Sequence, residues 1–240
     1  MVSRLLYRDG LMLILDKPAG LAVHKGPKGG ESLEDWFDAL RFGLPRAPSL
    51  AHRLDKETSG CLVLGRHRKA LAELSQLFRH GRVGKTYWAI VEGGPYEHEH
   101  EGRIDLPLGK RDHTRGWWMK HDPSGLPSAT TWKVMGRSNG FTWLALEPLT
   151  GRTHQLRVHC AETGWPIVGD NIYGTAPRHG GPPLQLHARE IAVPLYKNRA
   201  PVIATAPVPP QMQEWLKACG WSDCSLQAAS GTAALRRPSQ

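Results

Sequence analysis

The sequence is poor in cysteine and has no long apolar run. It contains four cysteines in 240 residues, with no C-x-x-C pair and no Cys/His spacing typical of zinc. No apolar stretch approaches the roughly 20 residues of a transmembrane helix, and the N-terminal segment lacks the apolar core of a signal peptide. We therefore expect a cytoplasmic protein with reduced cysteines, no membrane segment and no metal site.

The motifs of several large enzyme classes are also missing. There is no P-loop, no G-x-G-x-x-G after a strand, no H-E-x-x-H and no G-x-S-x-G. The only metal-like run, His98–His100, is more typical of a solvated turn. No motif requires a cofactor, so we expect none.

Acidic residues are the minority charge. The chain has 22 Asp plus Glu against 31 Lys plus Arg, a formal net charge of +9. Such an excess attracts polyanions and is typical of nucleic-acid-binding proteins. On charge alone, an ordinary basic enzyme remains an equal alternative.

The periodicity of apolar residues predicts an α+β fold with a mixed, largely antiparallel sheet and peripheral helices. The segment 150–166 fits a strand or a helix, and we prefer a helix because Gly164 and Pro166 form a typical stop. In the helix predicted over 31–43, Ser32 and Asp35 form a capping box. Its buried stripe is Leu33, Trp36, Phe37 and Leu40. The predicted strands are 11–15, 61–65, 85–93, 129–137, 141–149 and 185–195, and the other helices are 66–81 and 210–220.

The chain is expected to be one domain over residues 1–221. Residues 95–125 are rich in Gly, Pro, His and charge and predict a surface insertion, in which Trp117 and Trp118 stand among basic groups. Exposed tryptophans there would suit base stacking, although one of them could simply pack on the body. Residues 222–240 have the composition of a disordered tail.

Asp55 stands out in "AHRLDKETSGCLVLG", residues 51–65, where charged groups precede an apolar strand. In an extended segment Arg53, Asp55 and Glu57 would project to one side. A carboxylate beside a guanidinium stays ionised and can act as a nucleophile or base. By spacing alone, however, a surface ion pair is the more common explanation.

Two other residues invite a functional interpretation. Arg157 falls in the first turn of the preferred helix, where a cation is mildly unfavourable, so a fixed anionic partner is expected nearby. A solvent-facing arginine is the equal alternative. Tyr87 and Trp88 alternate on a strand, so one ring should enter the core while the other lines a cleft. Taken alone, a core role is the commoner one for Tyr87.

Together these segments resemble the RluA-type family of RNA pseudouridine synthases. The resemblance extends from about Leu5 to Trp215. Its motifs occur in the family's order, namely "LDKPAGLAVH", "HRLDKETSG", "KTYWAIV", "LTGRTHQLRVH", "PIVGDNIYG" and "LQLHA". The first motif begins near Leu15, so the S4 domain of many relatives is not expected here.

The resemblance implies an enzyme that isomerises selected uridines of rRNA or tRNA, with the family's central active-site cleft. Asp55 matches the catalytic aspartate and Arg157 the arginine that pairs with it. Tyr87 matches the tyrosine that packs on the target base, and Arg53 a residue that fills the gap left by the flipped nucleotide. The flanking motif residues expected to bind substrate are His52, Leu54, Thr58, Gln155 and Leu156.

Two other functions are alternatives to RNA isomerisation. A non-catalytic RNA-binding or chaperone protein could keep the fold, but intact Asp55, Tyr87 and Arg157 argue against it. A nucleoside hydrolase usually needs two carboxylates or a metal, and only one carboxylate stands out. RNA is therefore the expected partner, and we expect a monomer.

Overall fold

Most strands of the protein belong to one large sheet. The structure, a computed structural model, describes residues 1–26, 29–111 and 118–223. The strands in these residues are β1 Leu5–Arg8, β2 Met12–Lys17, β3 Ser49–Leu50, β4 Ser59–Gly65, β5 Gly84–Glu92, β6 Glu101–Asp105, β7 Leu108–Lys110, β8 Met119–His121, β9 Ala129–Ser138, β10 Phe141–Pro148, β11 Leu186–Val193 and β12 Val202–Thr205. The α-helices are α1 Arg68–Arg79, α2 Gln155–Glu162 and α3 Pro210–Ala218, and 3-10 helices occupy Val2–Arg4 and Leu33–Leu40.

The sheet is mixed but almost wholly antiparallel. Its main path is β1-β2-β4-β11-β5-β10-β9-β6, with β3 paired to β4 and β12 to β11. Strands β7 and β8 form a separate hairpin. Among the named strands of the described residues, the one parallel pairing joins β4 to β11, and an isolated parallel bridge joins Ala22 to Ser32. The predicted α+β class with a mostly antiparallel sheet is therefore confirmed. No helix in the described part of the chain is long and apolar enough to cross a membrane.

Gly60 makes the parallel contact possible. It pairs with Ala188 of β11 and has φ +106, a left-handed conformation that glycine alone adopts readily. A Cβ at this position would lie 2.2 Å from the carbonyl oxygen of Ala188. The glycine thus lets the start of β4 approach the centre of the sheet.

Helices cover both faces of the half of the sheet built from β2 and β4. Leu13 and Ile14 alternate on β2, so their side chains face opposite sides. Leu13 packs in one cluster with Phe37 of the second 3-10 helix. Ile14 packs in another cluster with Leu74 of α1.

The half built from β5 and β10 is covered in the same way. Leu144 packs with Leu156 of α2, whereas the alternate residue Trp143 packs with Leu216 of α3. Tyr87 contacts both the cluster of α2 and the cluster of the second 3-10 helix. These two helices therefore share one face of the sheet, and Tyr87 lies between them.

The helix predicted over 31–43 is a 3-10 helix with the expected capping box. Asp35 accepts a hydrogen bond from the Ser32 backbone N–H at 3.0 Å. The predicted stripe is wrong at Trp36, which is 42% exposed. Phe37 and Leu40, which are one 3-10 turn apart, are both buried as predicted.

The other predicted helices and strands are present, with shifted ends. The ambiguous 150–166 segment forms α2 with His154 as its N-cap, so the preference for a helix is confirmed. The predicted insertion at 95–125 contains β6, which belongs to the main sheet, and the β7–β8 hairpin. Trp117 and residues 224–240 of the predicted tail lie outside the described residues.

Candidate active site

The loop that carries Asp55 leads directly into β4. The Thr58 N–H donates to the Asp55 carbonyl at 3.1 Å, which closes a turn over Lys56 and Glu57. The segment is therefore not extended, and the expectation that Arg53, Asp55 and Glu57 share one side is wrong. Arg53 and Asp55 line the neighbouring cavity, whereas Glu57 does not.

A buried lysine binds this loop through a hydrogen bond to its backbone. Lys17 is fully buried at the end of β2, and its ammonium donates to the carbonyls of Pro18, Leu21 and Lys56 at 2.8, 2.8 and 3.0 Å. Burial lowers the pKa of Lys17 to about 8, against the opposing effect of nearby carboxylates. The lysine thus ties the Asp55 loop to the first motif, a role that the sequence did not suggest.

Every site residue expected from the sequence borders one cavity of about 350 Å³. The cavity opens between the Asp55 loop, the end of α1 and the start of α2, beside Tyr87. Its wall includes Asp55, Tyr87, Arg157, Arg53, His52, Leu54, Thr58, Gln155 and Leu156. Segments more than 100 residues apart in the sequence thereby meet around one carboxylate.

Tyr87 offers the cavity a neutral phenol. Burial, followed by the charge of Asp55, raises the pKa of Tyr87 far above its ordinary value. Trp88 faces the opposite side, where it packs edge-to-face on Trp143 with the ring centroids 4.7 Å apart. Tyr87 is therefore the residue of this pair that lines the cleft.

Arg157 has a fixed anionic partner, but that partner is Asp170. Its Nε and Nη2 atoms donate to the two carboxylate oxygens of Asp170, each at 2.7 Å, and both side chains are buried. Burial favours the neutral forms, yet the paired hydrogen bonds raise the pKa of Arg157 and lower that of Asp170. The resemblance implied a direct pair with Asp55, whereas Asp55 affects Arg157 only through a weaker, longer-range attraction.

The Asp55 carboxylate is approached by the imidazole of His154. Its Nε2 lies 3.7 Å from Asp55 Oδ2, and its Nδ1 lies 2.8 Å from the Tyr173 hydroxyl. Burial lowers the pKa of His154, an effect that Asp55 partly offsets. His154 has φ +52, a strained conformation for a non-glycine residue that often marks a functional site. It lies inside the quoted arginine motif, which was the only sequence signal for it.

Some of the predicted binding residues use their polar atoms within the protein. The Nε2 atom of His52 accepts the Val63 N–H at 3.0 Å, and burial lowers the pKa of His52 to about 3. The Gln155 amide is engaged by Thr150, by the Arg152 N–H, and by Ala129 and Thr130. These residues shape the wall rather than offer free hydrogen-bonding groups.

The chain matches one family across its first two thirds and close relatives over nearly its whole length. The profile of the RNA pseudouridylate synthase family matches residues 11–162. A protein of Zymomonas mobilis described as an uncharacterized RNA pseudouridine synthase is 43% identical over 211 residues, which is 87% of this chain and 95% of that protein. The chain belongs to the RNA pseudouridine synthase family. This synthase is therefore an isomerase.

Other relatives agree with this assignment. Ribosomal large subunit pseudouridine synthase C of Vibrio vulnificus is 35% identical over 220 residues, 88% of this chain and 67% of that protein. Among solved structures, human RNA pseudouridylate synthase domain containing 4 superimposes with a TM-score of 0.76 at 26% identity. That superposition covers 91% of this chain and 93% of the human chain.

The β7–β8 hairpin of this synthase is linked to the cavity wall through Tyr173. The Met119 N–H of β8 donates to the Tyr173 hydroxyl at 2.9 Å, the same hydroxyl that contacts His154. Trp118, just before β8, lies under the guanidinium groups of Arg111 and Arg178, at 5.6 and 5.9 Å. The described residues contain no group of three or more His, Cys, Asp or Glu side chains arranged to hold a metal.

Proposed function

We propose that this synthase converts uridines of ribosomal or transfer RNA to pseudouridine, with Asp55 as its catalytic carboxylate. The observation that carries the proposal is the cavity lined by both Asp55 and Tyr87, with Arg157 fixed in its wall by Asp170. The name of the Vibrio relative supports a ribosomal substrate, and the resemblance of the motifs supports both kinds of RNA. A monomeric state and a cytoplasmic location remain predictions.

The proposed reaction rearranges one bond without net loss of atoms. The bond between uracil N1 and ribose C1′ breaks, the uracil rotates, and C5 joins C1′. The proton of C5 leaves, and N1 regains a proton. Asp55 either attacks C1′ or first removes the C2′ proton, and in both cases it must enter the reaction as a carboxylate.

The other wall residues take roles that suit their chemistry. Tyr87 presents an aromatic face and an uncharged hydroxyl to the uracil ring. Arg53 is exposed and lines the cavity, and its side chain would occupy the position that the flipped uracil leaves in the RNA base stack. Flipping costs a few kcal/mol, and attraction between the net charge of +9 and RNA offsets part of it.

The test is release of tritium from RNA that carries tritium at uridine C5. The wild-type protein should release tritium, and Asp55→Asn should release none, whereas Asp105→Asn should remain active. Asp105 is an exposed carboxylate outside the cavity that pairs with Arg103, so it controls for simple loss of a negative charge.

Other outcomes would support other functions. Release of free uracil would indicate a nucleoside hydrolase. The absence of release from every cellular RNA would favour a non-catalytic RNA-binding or chaperone role. Maps of pseudouridine in total RNA with and without the gene would identify the modified uridine.

A further inference from the structure

Lys85 is a charged residue in the cavity wall. It has no role in the proposed reaction. It lies two residues before Tyr87 on β5, so both side chains point to the same side of the strand. Both line the cavity, and Lys85 is half-buried there. Its position places an ammonium group within the site that would receive the RNA.

Within the described part of the chain, this ammonium has no hydrogen-bond acceptor and no carboxylate within 4.0 Å. Burial is the only cause that lowers the pKa of Lys85. Lys17, by contrast, is buried against three carbonyl oxygens. A half-buried cation without a partner is costly to the folded protein. Its presence in an open cavity therefore points to an anion supplied from outside.

The neighbours of Lys85 do not supply that anion. His52 is neutral, and its pKa is lowered first by burial and then by the charge of Lys85. Its ring stacks on Phe78, with centroids 4.3 Å apart, and the next residue, Arg79, adds a second cation to the cavity wall. Asp55, which raises the pKa of Tyr87, has no such effect on Lys85. The ammonium thus shares the cavity wall with a second cation and a neutral imidazole.

We propose that Lys85 binds a backbone phosphate of the RNA next to the flipped uridine. The inference rests on the proposed function, because Tyr87 and Asp55 would hold the base and the ribose. Two residues along a strand span about 7 Å, which places Lys85 beside Tyr87 rather than beneath the base. A cavity of about 350 Å³ is in the range that holds one small ligand. The flipped nucleotide carries its backbone phosphodiester with it into the cleft, and this phosphodiester is the anion that would pair with Lys85.

The test measures RNA affinity as a function of salt. A fluorescein-labelled single-stranded oligouridylate would be titrated with wild-type protein, Lys85→Met and Lys85→Arg between 50 and 200 mM KCl. Loss of one phosphate contact should weaken binding about tenfold for Lys85→Met. It should also reduce the slope of log affinity against log salt by about 0.7. Lys85→Arg should keep most of the slope.

A matched control and a stability measurement separate this role from a structural one. Lys217 is exposed on α3, which covers the opposite face of the sheet, so Lys217→Met should keep the wild-type slope. Without RNA, Lys85→Met should unfold at or above the wild-type temperature, because it removes an unpaired buried charge. An unchanged slope and affinity in Lys85→Met would overturn the proposal, as would a weakened affinity that only accompanies lost stability.

The binding experiment does not depend on catalysis, so the two proposals can fail separately. If wild type releases no tritium from any RNA while Lys85→Met still loses the salt slope, the phosphate site stands and the proposed function falls. If wild type is active and Lys85→Met binds like wild type, the phosphate site alone is wrong.

Discussion

The buried pair between Arg157 and Asp170 allows the sharpest prediction. Asp170→Asn keeps the size of the side chain and an oxygen that can accept the Ile172 and Tyr173 N–H groups, as Asp170 Oδ1 does now. It removes the charge that faces Arg157, whose side chain is 5% exposed. Breaking one partner of such a pair leaves an uncompensated buried charge, at a cost of about 3–5 kcal/mol.

The measurement is the thermal midpoint of unfolding, followed by circular dichroism. For a domain of this size each kcal/mol corresponds to about 2–4 °C, so Asp170→Asn should lower the midpoint by roughly 6–20 °C. The control is Asp105→Asn, which breaks an exposed bidentate pair with Arg103. Exposed pairs contribute about 0–1 kcal/mol, so this variant should change the midpoint by only a few degrees.

A double-mutant cycle completes the test. Adding Arg157→Met to Asp170→Asn should recover part of the lost stability, because no buried charge is then left unpaired. A loss of stability in Asp170→Asn no larger than that in Asp105→Asn would refute the prediction. It is refuted equally if the two changes at 157 and 170 are simply additive.

The strained backbone at His154 and Gly60 and the buried His187 each allow a further test. Asn at position 154 tolerates the left-handed backbone, but His154→Asn removes the imidazole that lies near Asp55. Tritium release should therefore fall about tenfold or more, while the thermal midpoint of unfolding changes little. Activity equal to that of the wild type would contradict this prediction. Gly60→Ala should destabilise the fold by about 3 kcal/mol or more, whereas Gly140→Ala, at φ +79 with open space, should cost only about 1 kcal/mol. Burial lowers the pKa of His187 to about 4. The unfolded chain therefore binds more protons between pH 6.5 and 4, and stability falls with acidification there, by roughly 2 kcal/mol from pH 6.5 to 5. This part of the loss should be absent in His187→Asn, as measured by urea unfolding at each pH.

The charged partners of Arg157 and Asp55 were only partly predictable from the sequence. A cation in the first turn of α2 predicted a fixed anion near Arg157, and the structure contains one. Its identity, Asp170, depends on how the segment after α2 folds back against the helix, which spacing alone does not reveal. For the same reason the contact between His154 and Asp55 was not foreseen, although both residues stood in quoted motifs.

The backbone conformation of the Asp55 segment was also beyond prediction from local sequence. Alternation predicted that Arg53, Asp55 and Glu57 share one side, but a turn at Lys56 and Glu57 breaks the extended backbone. The turn is set by contacts from elsewhere in the chain, with Lys17 Nζ and the Gly20 N–H both donating to the Lys56 carbonyl. Local pattern could not predict a backbone conformation that distant donors decide.

The sequence by itself determined the class of fold, most strands and helices, and the family. Apolar periodicity and capping residues are local, and the motifs stand in a fixed order along the chain. Only the tertiary structure decided which charges are satisfied and which are not. Burial and partnership depend on residues far apart in sequence, so Lys17 is bound by three carbonyls while Lys85 has no partner among the described residues. The missing partner of Lys85 is the observation that supports a phosphate site beside Tyr87.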